Sequence, residues 1–122
     1  MPSPLADPAF RALFEDAPIG IVIVDEPLRI VDINAAYCEM LGYTEAEMMK
    51  RTIYDVTHPD DRARDREFAA LLFAGTLPRY KAQKRYIRKD GEVVKARIVV
   101  TPLVEASRDI RYLFSMAMEI SG

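Results

Sequence analysis

The sequence predicts an α+β fold: an antiparallel sheet with its helices grouped on one face. Three observations predict it. Ile19-Gly20-Ile21-Val22-Ile23-Val24-Asp25 is β-branched and almost wholly apolar, and Leu28 to Ile33 returns after the turn Asp25-Glu26-Pro27, making a hairpin. Asn34 to Gly42 and Thr44 to Met48 read as two short helices in tandem. Asp90-Gly91, a strong two-residue hairpin signal, separates the strand patterns Tyr80–Lys89 and Glu92–Leu103.

Composition sets the frame. A chain of 122 residues fits one domain with a real core, and half its residues are apolar with mixed charges. The net charge of −2 gives no general attraction to nucleic acid or anionic membranes. The single cysteine excludes an internal disulfide and suits a reducing, cytoplasmic location. No apolar run approaches the roughly 20 residues of a membrane span. The start, Met1-Pro2-Ser3-Pro4-Leu5, lacks a basic region followed by an apolar run, so no signal peptide is expected.

Residues 1–8 hold three prolines and read as a flexible leader. Residues 9–17 form an amphipathic helix with Phe10, Leu13 and Phe14 on one side, stopped by Ala17-Pro18. That apolar side fits either a dimer contact or a cover for the sheet. In the hairpin's exit, Asn34 is a good N-cap, and Ala35, Ala36, Tyr37, Met40 and Leu41 give the helix an apolar face. Gly42 suits the C′ position. Thr44-Glu45-Ala46-Glu47 is a capping box, with Tyr43 and Met48 spaced as a hydrophobic staple. Lys50–Val56 is irregular, with one helical turn expected around Ile53 and Tyr54. Pro59 at N1, with Asp60 and Asp61 in the first turn, opens a helix to about Ala74 that turns Phe68, Leu71 and Leu72 inward. Its arginines (Arg62, Arg64, Arg66) alternate with acids and read as a solvated face. In the strand after Asp90-Gly91, Val94, Ala96, Ile98 and Val100 alternate with Lys95 and Arg97, so one face is wet. Glu105–Asp109 is a loop. Ile110–Ile120 is the last strand, with Tyr112, Phe114, Met116 and Met118 on one face and Leu113, Ser115, Ala117 and Glu119 on the other.

From Phe10 to Ser121 this pattern resembles the PAS sensor domain. The resemblance is carried by Gly20–Asp25, Asn34-Ala35-Ala36-Tyr37, Leu41-Gly42-Tyr43-Thr44, His58-Pro59-Asp60-Asp61, Arg88-Lys89-Asp90-Gly91 and Glu119-Ile120-Ser121, in that order and spacing. It implies a domain over residues 18–121 with a five-stranded sheet of order 2-1-5-4-3. It also implies a sensory, ligand-binding or dimerisation module feeding a C-terminal effector, such as a histidine kinase or a cyclic-dinucleotide enzyme. Two departures stand out. The family often places tryptophan where this chain has Lys95, and its closing Asp-Ile-Thr is here Glu119-Ile120-Ser121.

The resemblance puts Tyr37, Met40, Leu41, Ile53, Phe68, Leu72, Tyr86 and Phe114 between helices and sheet. There they either line a pocket for a small molecule or fill the space themselves. With a filled core, the module is a ligand-independent dimerisation domain. A flavin-binding relative would carry Asn-Cys-Arg-Phe-Leu after the second short helix. Lys50–Val56 holds no thiol, and Cys38 reads as a buried hydrophobe, so a flavin adduct is not expected. Haem is not expected either, because His58 precedes the long helix and caps it. One histidine with one cysteine is a poor zinc set. Asp60 and Asp61 suit the helix dipole better than acid–base catalysis, and no phosphate loop or nucleophile motif appears, so no catalysis is expected. Lys81, Lys84, Arg85, Arg88 and Lys89 flank Tyr80 and Tyr86. An edge strand guarded by charge explains them better than nucleic-acid contact. Glu119 is expected to pair with Arg88 or Lys89, so that Glu119 and Ser121 relay a shift of the sheet to an effector.

Overall fold

In the computed structural model, which describes residues 6–104 and 109–120, the β-branched run becomes β1 (Gly20–Val24), buried along its whole length. It pairs antiparallel with β2 (Ile30–Ile33) on one side and β5 (Ile110–Glu119) on the other, so it lies inside the sheet. β4 (Val93–Val104) joins β5, and β3 (Tyr80–Ile87) closes the far edge. The order is β2-β1-β5-β4-β3, all antiparallel, as the resemblance implies. The sheet core is pinned by Ile23 opposite Phe114 and Ile98 opposite Ala117.

The helices form where the caps are. α1 (Pro8–Asp16) starts on Asp7, whose carboxylate accepts from Ala9 and Phe10 amides. α2 (Ala35–Leu41) starts on Asn34 and ends on Gly42, which takes φ +80. α3 (Glu45–Met48) carries the expected capping box between Thr44 and Glu47. A single 3-10 turn, Ile53–Val56, leads to α4 (Pro59–Phe73). His58 caps α4, its Nδ1 accepting the Asp60 amide at 3.1 Å.

Two apolar layers result. The larger lies under α2, α3 and α4 and includes Val22, Val24, Tyr37, Leu41, Leu72, Tyr86 and Leu113. The smaller lies on the opposite face, where Phe14 packs with Ile21 and Ile23, flanked by Tyr112, Phe114 and Met116. α1 therefore covers the outer face while the other helices roof the inner one. The expected grouping on one face holds for α2, α3 and α4 but not for α1, whose Phe14 packs on Ile21 and Ile23.

Three expectations change. Phe114 belongs to the outer layer, because a strand's period of two puts it opposite Leu113. The β3–β4 turn is longer than two residues: Arg88 N–H donates to Glu92 O and Gly91 N–H to Arg88 O, leaving Lys89-Asp90-Gly91 as the loop with Gly91 at φ +91. Glu119 lies opposite Ala96 and makes no ion pair with Arg88 or Lys89. Lys89 Nζ instead reaches Glu47 at 2.6 Å, and Arg88 Nε lies 4.0 Å from Asp90. Ser121, and the loop expected at Glu105–Asp109 apart from Asp109, lie outside the described residues.

Candidate functional site

A partly open space of about 50 Å³ lies between α4 and the sheet. Its walls are mostly apolar: Val22, Leu28, Ile98 and Leu113 from the sheet side, Ile53 and Leu72 from the roof. At its polar end Asp65 on α4 meets Lys84 on β3, 2.6 Å apart; Tyr80 on β3 and Ser115 on β5 also line the space.

The long helix brings Asp65 in because its buried stripe is Asp61, Asp65, Ala69 and Leu72, the spacing of one helical face. Strand β3 brings Lys84 in because Tyr80, Lys84 and Tyr86 share its inner face. Both charges are almost wholly shielded, Lys84 at 5% and Asp65 at 8% side-chain exposure, with Nζ and Oδ2 2.6 Å apart. The ammonium also sits 4.8 Å from the centre of the Tyr86 ring, a cation–π contact that supports its charge.

Polar capacity is left over at this end. Neither carboxylate oxygen of Asp65 completes a hydrogen bond of good geometry, and the buried Tyr80 and Tyr37 hydroxyls have no partner among the described residues. Tyr80 stacks on Phe68, ring centres 4.2 Å apart. Tyr37 meets Tyr86 edge to face at 5.7 Å. Burial, and then the neighbouring Tyr86, pushes the Tyr37 hydroxyl well above the usual tyrosine range, so it stays protonated.

Of the residues expected to line a pocket, Ile53 and Leu72 are on the wall. Tyr37, Leu41 and Tyr86 are fully packed core beside it, and Met40 and Phe68 are half-buried against that core. Phe114 is on the far side of the sheet. Lys84 and Asp65, read from sequence as an edge guard and part of a solvated face, are instead the charged centre of the site. Their spacing with buried neighbours was the signal. The β3 edge is guarded differently: Arg64 Nη2 donates to Gln83 O and the His58 amide to Arg85 O.

Around the site two further contacts fix the roof. Asp61 takes a bidentate hold on Arg85, Oδ1 to Nη2 at 2.8 Å, and also accepts the Arg85 amide at 2.8 Å. These bonds hold the Asp61 carboxyl down at about 2 against its burial. Cys38 is buried in α2, and burial raises its thiol, which makes it a weak nucleophile. Among the described residues no cluster of three or more side chains has metal-ligating character. Among the described residues no helix is long and apolar enough to cross a membrane.

An antiparallel sheet of this order, roofed on one face by short helices and one long one, defines a class of single-sheet α+β domains. The chain belongs to the PAS family: the profile of the PAS fold matches residues 9–120. It is 32% identical over 92 residues to the probable diguanylate cyclase DgcE of Escherichia coli, covering 75% of this chain and 8% of that protein. It is 27% identical over 92 residues to the sensor histidine kinase TmoS of Ectopseudomonas mendocina, covering 75% of this chain and 10% of that one. The chain thus spans a tenth or less of the length of these signalling relatives. Among solved structures it is similar in fold to the PAS domain of an HTR-like protein from Haloarcula marismortui, with a TM-score of 0.78 and 22% identity over 92% of this chain and 89% of that one. The family is one of sensor modules, in general non-catalytic, and the enzyme names of the relatives belong to proteins in which this stretch is a small part.

Proposed function

We propose that this PAS domain is a cytoplasmic sensory module that takes a small ligand beside Asp65 and Lys84 and passes the resulting shift to a C-terminal effector. The observation that carries this reading is the buried pair itself. It joins α4 to β3 across the one polar end of an apolar space. Buried ion pairs are poor stabilisers relative to apolar packing, so their presence argues for a task other than stability. A ligand that competes for either charge alters the contact between the roof and the sheet, and β3 passes that change through β4 to β5 and the chain end. Output then follows the end of β5, through Glu119 and Ser121, without the salt bridge expected to Arg88 or Lys89.

A second reading is a dimerisation module with a filled core. The small volume of the space favours it, as do Phe10 and Leu13, which stand 45% and 73% exposed on α1. Phe14 is committed to the chain's own outer layer and is 2% exposed. The two readings separate in a protein that joins this domain to its effector. Ala69→Leu fills the space, whereas Phe10→Asp with Leu13→Asp disrupts only the exposed face of α1. Loss of regulated output in Ala69→Leu, with the dimer intact, supports the sensory reading. Unchanged regulation in Ala69→Leu, with loss of dimer and output in the α1 variant, supports the second.

A further inference from the structure

We infer that the space beside Asp65 and Lys84 selects small uncharged molecules carrying an adjacent hydrogen-bond donor and acceptor, of the amide or alcohol type, and rejects anions and cations of the same shape. The inference rests on the sensory reading above, and names its ligand by chemistry.

Charge is the first argument. Asp65 and Lys84 neutralise each other at 2.6 Å with both side chains shielded from solvent, whereas Arg64, whose Nη2 lies 3.7 Å from Asp65, is 38% exposed and shares its charge with water. A carboxylate or an ammonium brought into this space leaves one buried charge uncompensated, which protein interiors strongly disfavour. A neutral ligand leaves the balance intact.

Hydrogen-bond capacity is the second argument. The Tyr80 hydroxyl lacks a partner among the described residues, and the Asp65 oxygens complete no hydrogen bond of good geometry although Oδ2 lies 2.6 Å from Lys84 Nζ and Oδ1 3.7 Å from Arg64 Nη2. An ammonium has three donors, and one of those on Lys84 points to Asp65. The end of the space therefore offers acceptors on α4 and donors on β3 side by side. A group with a donor next to an acceptor, such as a primary amide, satisfies both sides at once, whereas an apolar molecule satisfies neither.

Size and wall chemistry are the third. About 50 Å³ is room for roughly three to five water-sized groups, well short of the roughly 150 Å³ that holds benzene. Val22, Leu28, Ile98 and Leu113 make the remaining wall apolar, so the rest of the ligand is a short hydrocarbon part.

Acetamide, acetate and acetamidinium share one shape and differ in charge, and xenon reports entry into an apolar space without hydrogen bonding. Each is titrated into the isotope-labelled protein and followed by NMR at Asp65, Lys84, Tyr80 and Leu113. The expected result is saturable shifts with acetamide, at an affinity at least tenfold above acetate and acetamidinium. In the double variant Asp65→Leu with Lys84→Met, xenon still enters and the preference for acetamide disappears. Acetate or acetamidinium binding as well as acetamide overturns the ligand class while leaving a ligand-taking cavity. Xenon entry without acetamide binding does the same. No shift with any of the four, xenon included, overturns both the ligand class and the sensory reading.

Discussion

Asn34 shows how much one side chain can hold. Its Oδ1 accepts the Ile21 amide at 2.8 Å and the Tyr37 amide at 3.1 Å, and its Nδ2 donates to Phe14 O and Ile19 O at 3.0 Å each. A carboxamide has two donors and two acceptor sites, and here all are used, so one residue ties the end of α1 to β1 and to the start of α2. Asn34→Ala strands these buried backbone groups and is expected to cost about 2–4 kcal/mol of stability, read by urea unfolding. A loss below about 1 kcal/mol, ordinary for a helix cap alone, would show that the distant bonds contribute nothing. Asp61 carries a pH dependence. Its carboxyl is lowered from the usual 3.8 to about 2 by hydrogen bonds from Arg85. The folded state therefore binds this proton more weakly than the unfolded one, and the contribution is full above 3.8 and fades as pH falls toward 2. Glu47, lowered to about 2 chiefly by Lys89, acts in the same direction below 4.5. Urea midpoints measured from pH 5 to pH 2 should fall less steeply in Asp61→Asn than in the parent. Equal slopes would contradict the assignment.

At the scale of elements, the roof is fastened to the sheet by charges that α4 and β3 share. Asp61 holds Arg85 and Asp65 holds Lys84, one turn of helix apart and facing neighbouring residues of one strand. The two contacts differ in kind. The Arg85 guanidinium is half exposed and bidentate, whereas the Lys84 contact is buried and short of hydrogen bonds. Lys84→Met leaves the buried Asp65 charge with only the long 3.7 Å contact to Arg64 and is expected to cost about 3–5 kcal/mol. Asp65→Leu combined with Lys84→Met should recover most of that loss or exceed the parent, because apolar packing commonly equals a buried pair. A double-mutant cycle by denaturant unfolding checks this. A double variant as unstable as the single would mean that the pair is there for stability.

For the whole molecule, what could be read from the sequence follows from how local each signal is. The five strands and four helices were legible because apolar period and capping chemistry lie within a few residues of each other, as at Thr44–Glu47 and Asn34–Gly42. Phe114 was legible too: its alternation with Leu113 places it on the outer face, against the pocket role that the resemblance gave it. The charged centre was hidden because residue type spoke louder than position. Lysine on an edge strand and aspartate in a basic–acidic helix suggest water, yet the spacing of Asp65 with Ala69 and Leu72, and of Lys84 with Tyr80 and Tyr86, puts them inside. The reach of Asn34 to Phe14 and Ile19 and the turn of Lys89 toward Glu47 were beyond it, since they depend on elements that meet only after folding. The central claim is that the buried pair transmits rather than stabilises. The direct measurement is effector output, with and without stimulus, in a protein joining this domain to its effector and carrying Asp65→Leu with Lys84→Met. The account predicts a folded, stable protein whose output no longer responds. A response of parental size from that double variant would contradict it.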